Sequence, residues 1–341
     1  MSATGLRTPK GVSLTFPSSA APRLAAAPDL GADLDHVLAL TSLEPVWRLP
    51  ADAYRAEAAR QQYRPEWTWA ACGPDGQVLA RALWWGQSDS EHPLALDCLA
   101  VIDDVPAAER APLAAALLQA GHHAVREAGA DAPPLYNLMR LPGGWRDDPA
   151  HAAAVAWRQD AARRAGLSVE VERLQFEWTP ETPLPAAPER LLFSPEPDDE
   201  AFLAAMRRVA EGTLDAHTRE SEAANGPEAT ARESLQFYLD RPGKREWWRL
   251  AHTPDGTLAG LAIPSATPYA RNVGYLGVVP ELRGRGYVSE ILAAITRFHA
   301  ADGAERITAT TDLGNHPMAA AFARAGYRDT EVRLIFSAPV D

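Results

Sequence analysis

Leu276-Gly277-Val278-Val279-Pro280-Glu281-Leu282-Arg283-Gly284-Arg285-Gly286-Tyr287-Val288 is the segment best equipped for chemistry. An apolar strand ends at a proline, a turn rich in arginine and glycine follows, and a helix begins. Glycines let backbone N–H groups approach a ligand closely, and a new helix adds unsatisfied donors and a positive dipole end. That combination suits a pyrophosphate, with Arg283 and Arg285 adding cationic charge at its rim. Gly-x-Gly alone fits an ordinary strand-to-helix turn equally well. The elements around the turn must decide.

Apolar spacing predicts a helix over 198–211, with Phe202, Leu203, Met206 and Val209 on one face. Residues 212–226 are polar and read as a loop or a broken helix. A second helix follows over 227–240, with Pro227 suited to its first turn. Strands are predicted at 246–252, 257–264 and 272–279, then a helix over 289–301, a strand at 307–311, a helix over 318–325 and a last strand at 331–337. Such an order gives a mixed sheet covered by helices.

Thr179 to Arg190 carries Pro180, Pro183, Pro185 and Pro188, which forbid a helix and favour an extended connector. The halves on either side look alike. Trp67-Thr68-Trp69-Ala70-Ala71 runs into Pro74-Asp75-Gly76, and Trp247-Trp248-Arg249-Leu250-Ala251 runs into Pro254-Asp255-Gly256 at the same offset. Each pattern predicts a β-hairpin. Arg164-Ala165-Gly166-Leu167 likewise matches Arg324-Ala325-Gly326-Tyr327. Three matches in one order indicate an internal duplication. The expected layout is a loose arm over 1–30, a first domain over 31–178, a linker over 179–190 and a second domain over 191–341.

Composition narrows the function classes. With 341 residues, 46% hydrophobic and 23% charged, the chain is globular and large enough for two domains. Its net charge of −12 disfavours nucleic acid and anionic membranes as partners. Cys72 and Cys98 are its cysteines, too few for a disulfide framework or a four-thiolate zinc site, and read as small core residues. Neither a signal peptide nor a membrane span is apparent, so a soluble cytoplasmic protein is expected. His122 and His123 diverge around a helix and cannot readily chelate one metal. In Trp84–Trp85 and Trp247–Trp248, strand alternation is expected to bury one member and leave the other at an interface.

The segment 276–288, together with Asn315 and the helix end at 322–327, resembles the GNAT acetyltransferase superfamily. Its acyl-CoA loop has the pattern Arg/Gln-x-x-Gly-x-Gly/Ala, matched here by Arg283 and Gly286 and departed from at Val288. Leu276, Val278 and Pro280 match the preceding Leu-x-Val-x-Pro, and Asn315 sits where the family places a pantetheine contact. The resemblance covers 198–337 well and reaches 35–178 through the repeat. It implies an α/β fold of two GNAT-like domains, each a mixed, mostly antiparallel sheet flanked by helices. The implied cosubstrate is acetyl-CoA, with no metal, held by Leu276, Gly277, Val278, Arg283, Gly284, Arg285, Gly286, Tyr287, Val288, Asn315 and Phe322. Pantetheine would lie between splayed strands 272–279 and 307–311, and a bulge near 277–279 would aim an N–H at the thioester carbonyl. The implied reaction is direct acetyl transfer to an amine of a small molecule, by a monomer or homodimer. A mycothiol-synthase-like enzyme and a non-catalytic CoA-binding sensor or scaffold are the alternatives.

Two positions depart from the family's acid–base pattern. Phe322 stands where many members have the tyrosine that protonates the leaving thiolate, and Asn272 where some have a base glutamate. Tyr275, Asp215, His217 and Glu220 are the candidate substitutes, more simply read as surface or acceptor contacts. The first half lacks the loop: Asp103-Asp104-Val105-Pro106-Ala107-Ala108-Glu109-Arg110 has no glycine and would repel phosphates. A degenerate domain that supports the second half is expected there.

Overall fold

The computed structural model describes residues 22–30 and 34–339. The chain divides into two compact units, one of Met1–Glu170 with Arg333–Pro339 and one of Val171–Val332.

In the first unit the elements are β1 (Arg23–Ala26), α1 (Ala27–Leu30), α2 (Leu34–Leu38), α3 (Ala51–Ala58), β2 (Thr68–Cys72), β3 (Val78–Trp85), β4 (Ala95–Val101), α4 (Ala107–Glu127), β5 (Leu135–Leu141) and α5 (Pro149–Arg164). Strands are ordered β1-β2-β3-β4-β5, antiparallel except for β4 and β5. Of the loose arm expected over 1–30, residues 1–21 lie outside the described residues. Arg23–Ala26 is instead an edge strand, pairing antiparallel with β2.

The second unit takes β6 (Val169–Trp178) from Val171 onward, then β7 (Leu192–Pro195), α6 (Asp199–Ala210), α7 (Ala216–Leu239), β8 (Arg249–His252), β9 (Leu258–Ala266), β10 (Arg271–Val278), α8 (Tyr287–Ala301), β11 (Ile307–Asp312), α9 (His316–Arg324) and the start of β12 (Arg328–Ser337). Strand order is β6-β11-β10-β9-β8-β7, with β10 and β11 parallel and the other pairs antiparallel. Asp198 caps α6 by accepting from Glu200 N, and Phe202, Leu203, Met206 and Val209 are buried on one face. In the stretch read as loop or broken helix, the chain is helical from Ala216, because the Asp215 side chain caps it at Thr218 N. A kink follows at Gly226 (φ 80°, ψ 162°), ahead of Pro227. The proline-rich stretch is a strap along α8: Pro185 O accepts from Arg297 Nη1, and the N–H groups of Glu189 and Arg190 bond Glu290.

The two units are built to one plan. Gly76 (φ 85°) and Gly256 (φ 84°) turn the two hairpins. Gly73 N bonds Gln77 O at 2.8 Å and Thr253 N bonds Thr257 O at 2.9 Å. Asp75 and Asp255 each accept from the residue two places on, at 3.1 Å. The register slips at the same point, between Ala71 and Cys72 and between Ala251 and His252. Gly166 (φ 89°) and Gly326 (φ 84°) terminate α5 and α9, where their left-handed backbone needs no side chain. Each unit's parallel strands pair over only two positions, Ala95–Leu135 and Leu96–Tyr136 in one, Arg271–Ile307 and Asn272–Thr308 in the other. Beyond those pairs the strands part.

Candidate active site

In the second unit the parting of β10 from β11 begins with an irregularity in β10. Its register against β9 shifts between Asn272 and Tyr275, where Gly274 has φ 70°. The expected bulge near 277–279 is therefore placed at Val273–Gly274, since Tyr275 to Val278 pair regularly with Ile263 to Gly260. Asn272 organises the bulge: its Oδ1 accepts from Gly274 N at 2.8 Å, and its Nδ2 donates to Thr308 O and Oγ1 at 3.0 Å. His299 Nε2 donates to Asn272 O at 3.0 Å from α8. Burial foremost lowers His299 to about 4, so the imidazole is neutral. Asn272 thus holds the strands where they separate.

The gap opens into a cleft of about 500 Å³. Leu276, Gly277, Val278, Arg283, Gly284, Gly286, Tyr287, Val288, Asn315 and Phe322 all line it, and so do Tyr275 and Asp215; Arg285, His217 and Glu220 do not. Val279 N bonds Ala259 O, and alternation then turns the N–H groups of Leu276 and Val278 to the edge facing the gap. Gly277 allows close packing, because a Cβ there would overlap the Val209 side chain. Gly286 takes a left-handed conformation at the N-cap of α8 (φ 79°, ψ 6°). Asn315 caps α9, its Oδ1 accepting from Met318 N at 3.3 Å.

Of the two arginines read as rim charges, Arg283 lines the cleft and Arg285 does not. Arg283 donates from Nε to Val278 O, from Nη1 to Gly212 O and from Nη2 to Val209 O, at 3.1, 3.1 and 2.8 Å. It ties the end of α6 to the end of β10. Arg190, legible in the sequence only as the end of a connector, lies at the glycine turn before α8, with Nη1 on Arg285 O at 2.9 Å.

Among the acid–base candidates, Asp215 has both carboxylate oxygens engaged: one by Thr218, the other by Arg173 Nη2 at 2.8 Å. Arg173 also bonds Asp312, which accepts from Ala216 N, so these groups pin the start of α7 over the gap. Tyr275 stacks on Tyr238 with centroids 6.1 Å apart. Burial, then Tyr238, Asp215 and Glu222, push the Tyr275 hydroxyl well above the usual tyrosine range. It holds its proton at any working pH. Glu222, unnoticed in the sequence, is close enough to contribute to that shift. Phe322 is 2% exposed and stacks on Phe176 at 4.8 Å. Trp247 and Trp248 are both buried, contrary to simple alternation, because Trp247 ends a short 3-10 turn ahead of β8. Trp84 is buried and Trp85 partly so.

The first unit's gap is filled by its own side chains. Arg158 of α5, 1% exposed, donates to Leu99 O of β4 at 3.1 Å and pairs with Glu44 at 2.7 Å. Glu44 also accepts from Arg110 Nη1 and Trp157 Nε1. Asp103 accepts from Ser42 Oγ and Leu43 N, so residues 42–44 lie across the turn that follows β4. Among the described residues, no group of three or more His, Cys, Asp or Glu side chains is placed to hold a metal ion. His122 is buried and His123 exposed. No described helix is long and apolar enough to cross a membrane.

Residues 189–328 match the family model described as an acetyltransferase (GNAT) domain. The second unit carries a GNAT acetyltransferase domain. A GCN5-related N-acetyltransferase from Sphaerobacter thermophilus is similar over 92% of this chain and 88% of its own, at 17% identity and TM-score 0.51. The glucosamine N-acetyltransferase region of a fungal multi-domain beta-N-acetylglucosaminidase is similar over 94% of this chain and 38% of that one, at 15% identity and TM-score 0.52. A tandem GNAT protein from the clavulanic acid biosynthesis pathway aligns over 94% and 98%, at 17% identity and TM-score 0.43. At these identities the likeness concerns the fold. No curated protein matches the chain. The GNAT plan, an α/β fold with a mixed, mostly antiparallel sheet flanked by helices, holds for both units.

Proposed function

We propose that the second unit binds acetyl-CoA and transfers its acetyl group to an amine of a small molecule. The observation that carries this reading is the gap between β10 and β11, which leads to a glycine turn at the N-terminus of α8. The residues fit the cosubstrate: a strand edge with outward N–H groups suits the pantetheine amides, and the turn suits the pyrophosphate. Acetyl-CoA supplies an activated acyl carbon and a thiolate that leaves readily. The protein's part is to orient the amine, polarise the carbonyl through the N–H groups of Leu276 and Val278, and provide a proton near the leaving sulfur. Tyr275 keeps its proton and can donate one, but it cannot serve as the base. Asp215 is held by Arg173 and Thr218, and His217 and Glu220 lie outside the cleft, so water is the simplest proton acceptor. Incubation with acetyl-CoA and a broad amine panel should release free thiol with at least one acceptor. CoA binding with no acetyl transfer would favour the sensor reading, which the lack of an available base at Asn272 and Asp215 supports.

Because Glu44 and Arg158 fill the first unit's gap, calorimetry should find one CoA site per chain. Two equivalent sites would mean that this plug opens.

Phe322 offers a second test. Tyrosine adds one hydroxyl to a ring that already borders the cleft. Phe322→Tyr is expected to raise single-turnover thiol release, by up to about 10²-fold where thiolate departure limits the step. If Tyr275 already supplies the proton, Phe322→Tyr should instead change little and Tyr275→Phe should slow release; both should be followed across pH. A large loss in Phe322→Tyr with CoA affinity intact would place this ring in acceptor packing instead.

A further inference from the structure

We infer that Arg190 is the residue that hydrogen-bonds the cosubstrate's pyrophosphate, carried to the phosphate turn by the proline-rich strap. The inference rests on the acetyl-CoA reading of the cleft. A guanidinium has five N–H donors in a rigid plane. Three N–H groups of Arg283 are taken by the carbonyls of Val278, Gly212 and Val209, so it ties the ends of β10 and α6 together while lining the cleft. Its charge is part of the scaffold.

Arg190 approaches the same turn from the other side. Its Nε bonds Glu290 Oε1 and its Nη1 bonds Arg285 O. The guanidinium also lies 4.9 Å from the centre of the Tyr287 ring. Its Nη2 takes part in neither bond, and it lies 3.5 Å from where a Cβ on Gly286 would stand. Gly286 is the left-handed residue that opens α8, the point where helix donors are aimed at an anion. One edge of Arg190 is therefore anchored, and the other lies beside Gly286, outside the residues that line the cleft.

Glu290 is the positioning residue. Its Oε2 accepts from Glu189 N at 3.1 Å and Arg190 N at 2.9 Å, so it fastens the strap as well as the guanidinium. Burial raises the Glu290 carboxyl, and the bonds from Arg190 and Glu189 more than reverse this, leaving it below the usual range. It stays ionised. Since Glu290 balances the charge, Arg190 contributes directed N–H groups more than net attraction.

The test is calorimetry on the full chain with CoA, dephospho-CoA and pantetheine. Arg190→Ala should lower affinity for CoA and dephospho-CoA by about tenfold and leave pantetheine unchanged. Arg190→Lys, which keeps a donor on a flexible stem, should recover part of the loss. A loss confined to CoA would move the contact to the 3′-phosphate. Equal losses for all three ligands would make Arg190 a strap anchor only. Unchanged affinities would remove it from the site. Each of those results overturns the inference while wild-type CoA binding stands. If the wild-type chain binds no CoA, the acetyl-CoA reading falls and the inference with it.

Discussion

Gly286→Glu should cost at least about 3 kcal/mol of CoA affinity, or roughly 150-fold in Kd. Two effects add. At φ 79° any Cβ strains the backbone, at about 1–2 kcal/mol for a non-glycine residue, and the free turn sheds that strain by leaving the binding conformation, so CoA must restore it. A carboxylate built there also points at Arg190 Nη2 and at the place proposed for phosphates. Like charges about 4 Å apart at a protein surface repel by about 4 kcal/mol. Gly286→Ala separates the two effects, since it keeps the strain and adds no charge. It should lose only about tenfold. Calorimetry on both variants, with circular dichroism to establish folding, decides the matter. Unchanged affinity in a folded Gly286→Glu would mean that the pyrophosphate binds elsewhere.

The features legible in the sequence are those set by neighbours along the chain. Pro-Asp-Gly fixes a turn whatever surrounds it, so both hairpins and their common offset could be read directly. The turn at 283–288 was legible for the same reason. What the sequence concealed depends on residues far apart. Both Gly274 and Gly277 lie on β10, and nothing local says which of them bulges. The answer comes from β9 and α6: Gly277 makes room for Val209, while Gly274 takes the positive φ. Arg283 in a glycine-rich turn resembles a phosphate ligand until the carbonyls of α6 are placed beside it. Arg190 is nearly a hundred residues from the turn it serves and lies in a stretch that reads only as a connector. In the first unit, Asp103 looked like a charge set against phosphate, yet its carboxylate accepts from Ser42 and Leu43. The closing of that gap by Glu44 and Arg158 joins segments over 100 residues apart, and periodicity carries no trace of it.

Gly274→Ala is expected to destabilise the second unit by about 3 kcal/mol or more, and it tests whether the bulge holds the cleft open. Gly274 and Gly284 both have a positive φ, 70° and 76°. Their surroundings differ. A Cβ on Gly284 meets nothing within 4 Å, whereas one on Gly274 would overlap the carbonyl oxygen of Ile263 and crowd Ser265 Cβ at 2.8 Å. The Ile263 carbonyl belongs to the central strand β9 and cannot rotate aside as a side chain would. Gly284→Ala therefore carries only the left-handed strain, about 1–2 kcal/mol. Gly274→Ala carries that strain plus overpacking of about 1–3 kcal/mol. At about 2–4 °C per kcal/mol for a unit of this size, the unfolding midpoint should fall by about 6–12 °C for Gly274→Ala and clearly less for Gly284→Ala. CoA affinity should fall in Gly274→Ala as well, because β10 can relieve the clash only by losing the kink that turns it from β11 beyond Asn272. Equal midpoints for the two variants would show that the backbone at Gly274 yields freely. The parting of the strands would then have to come from their ends, not from the bulge.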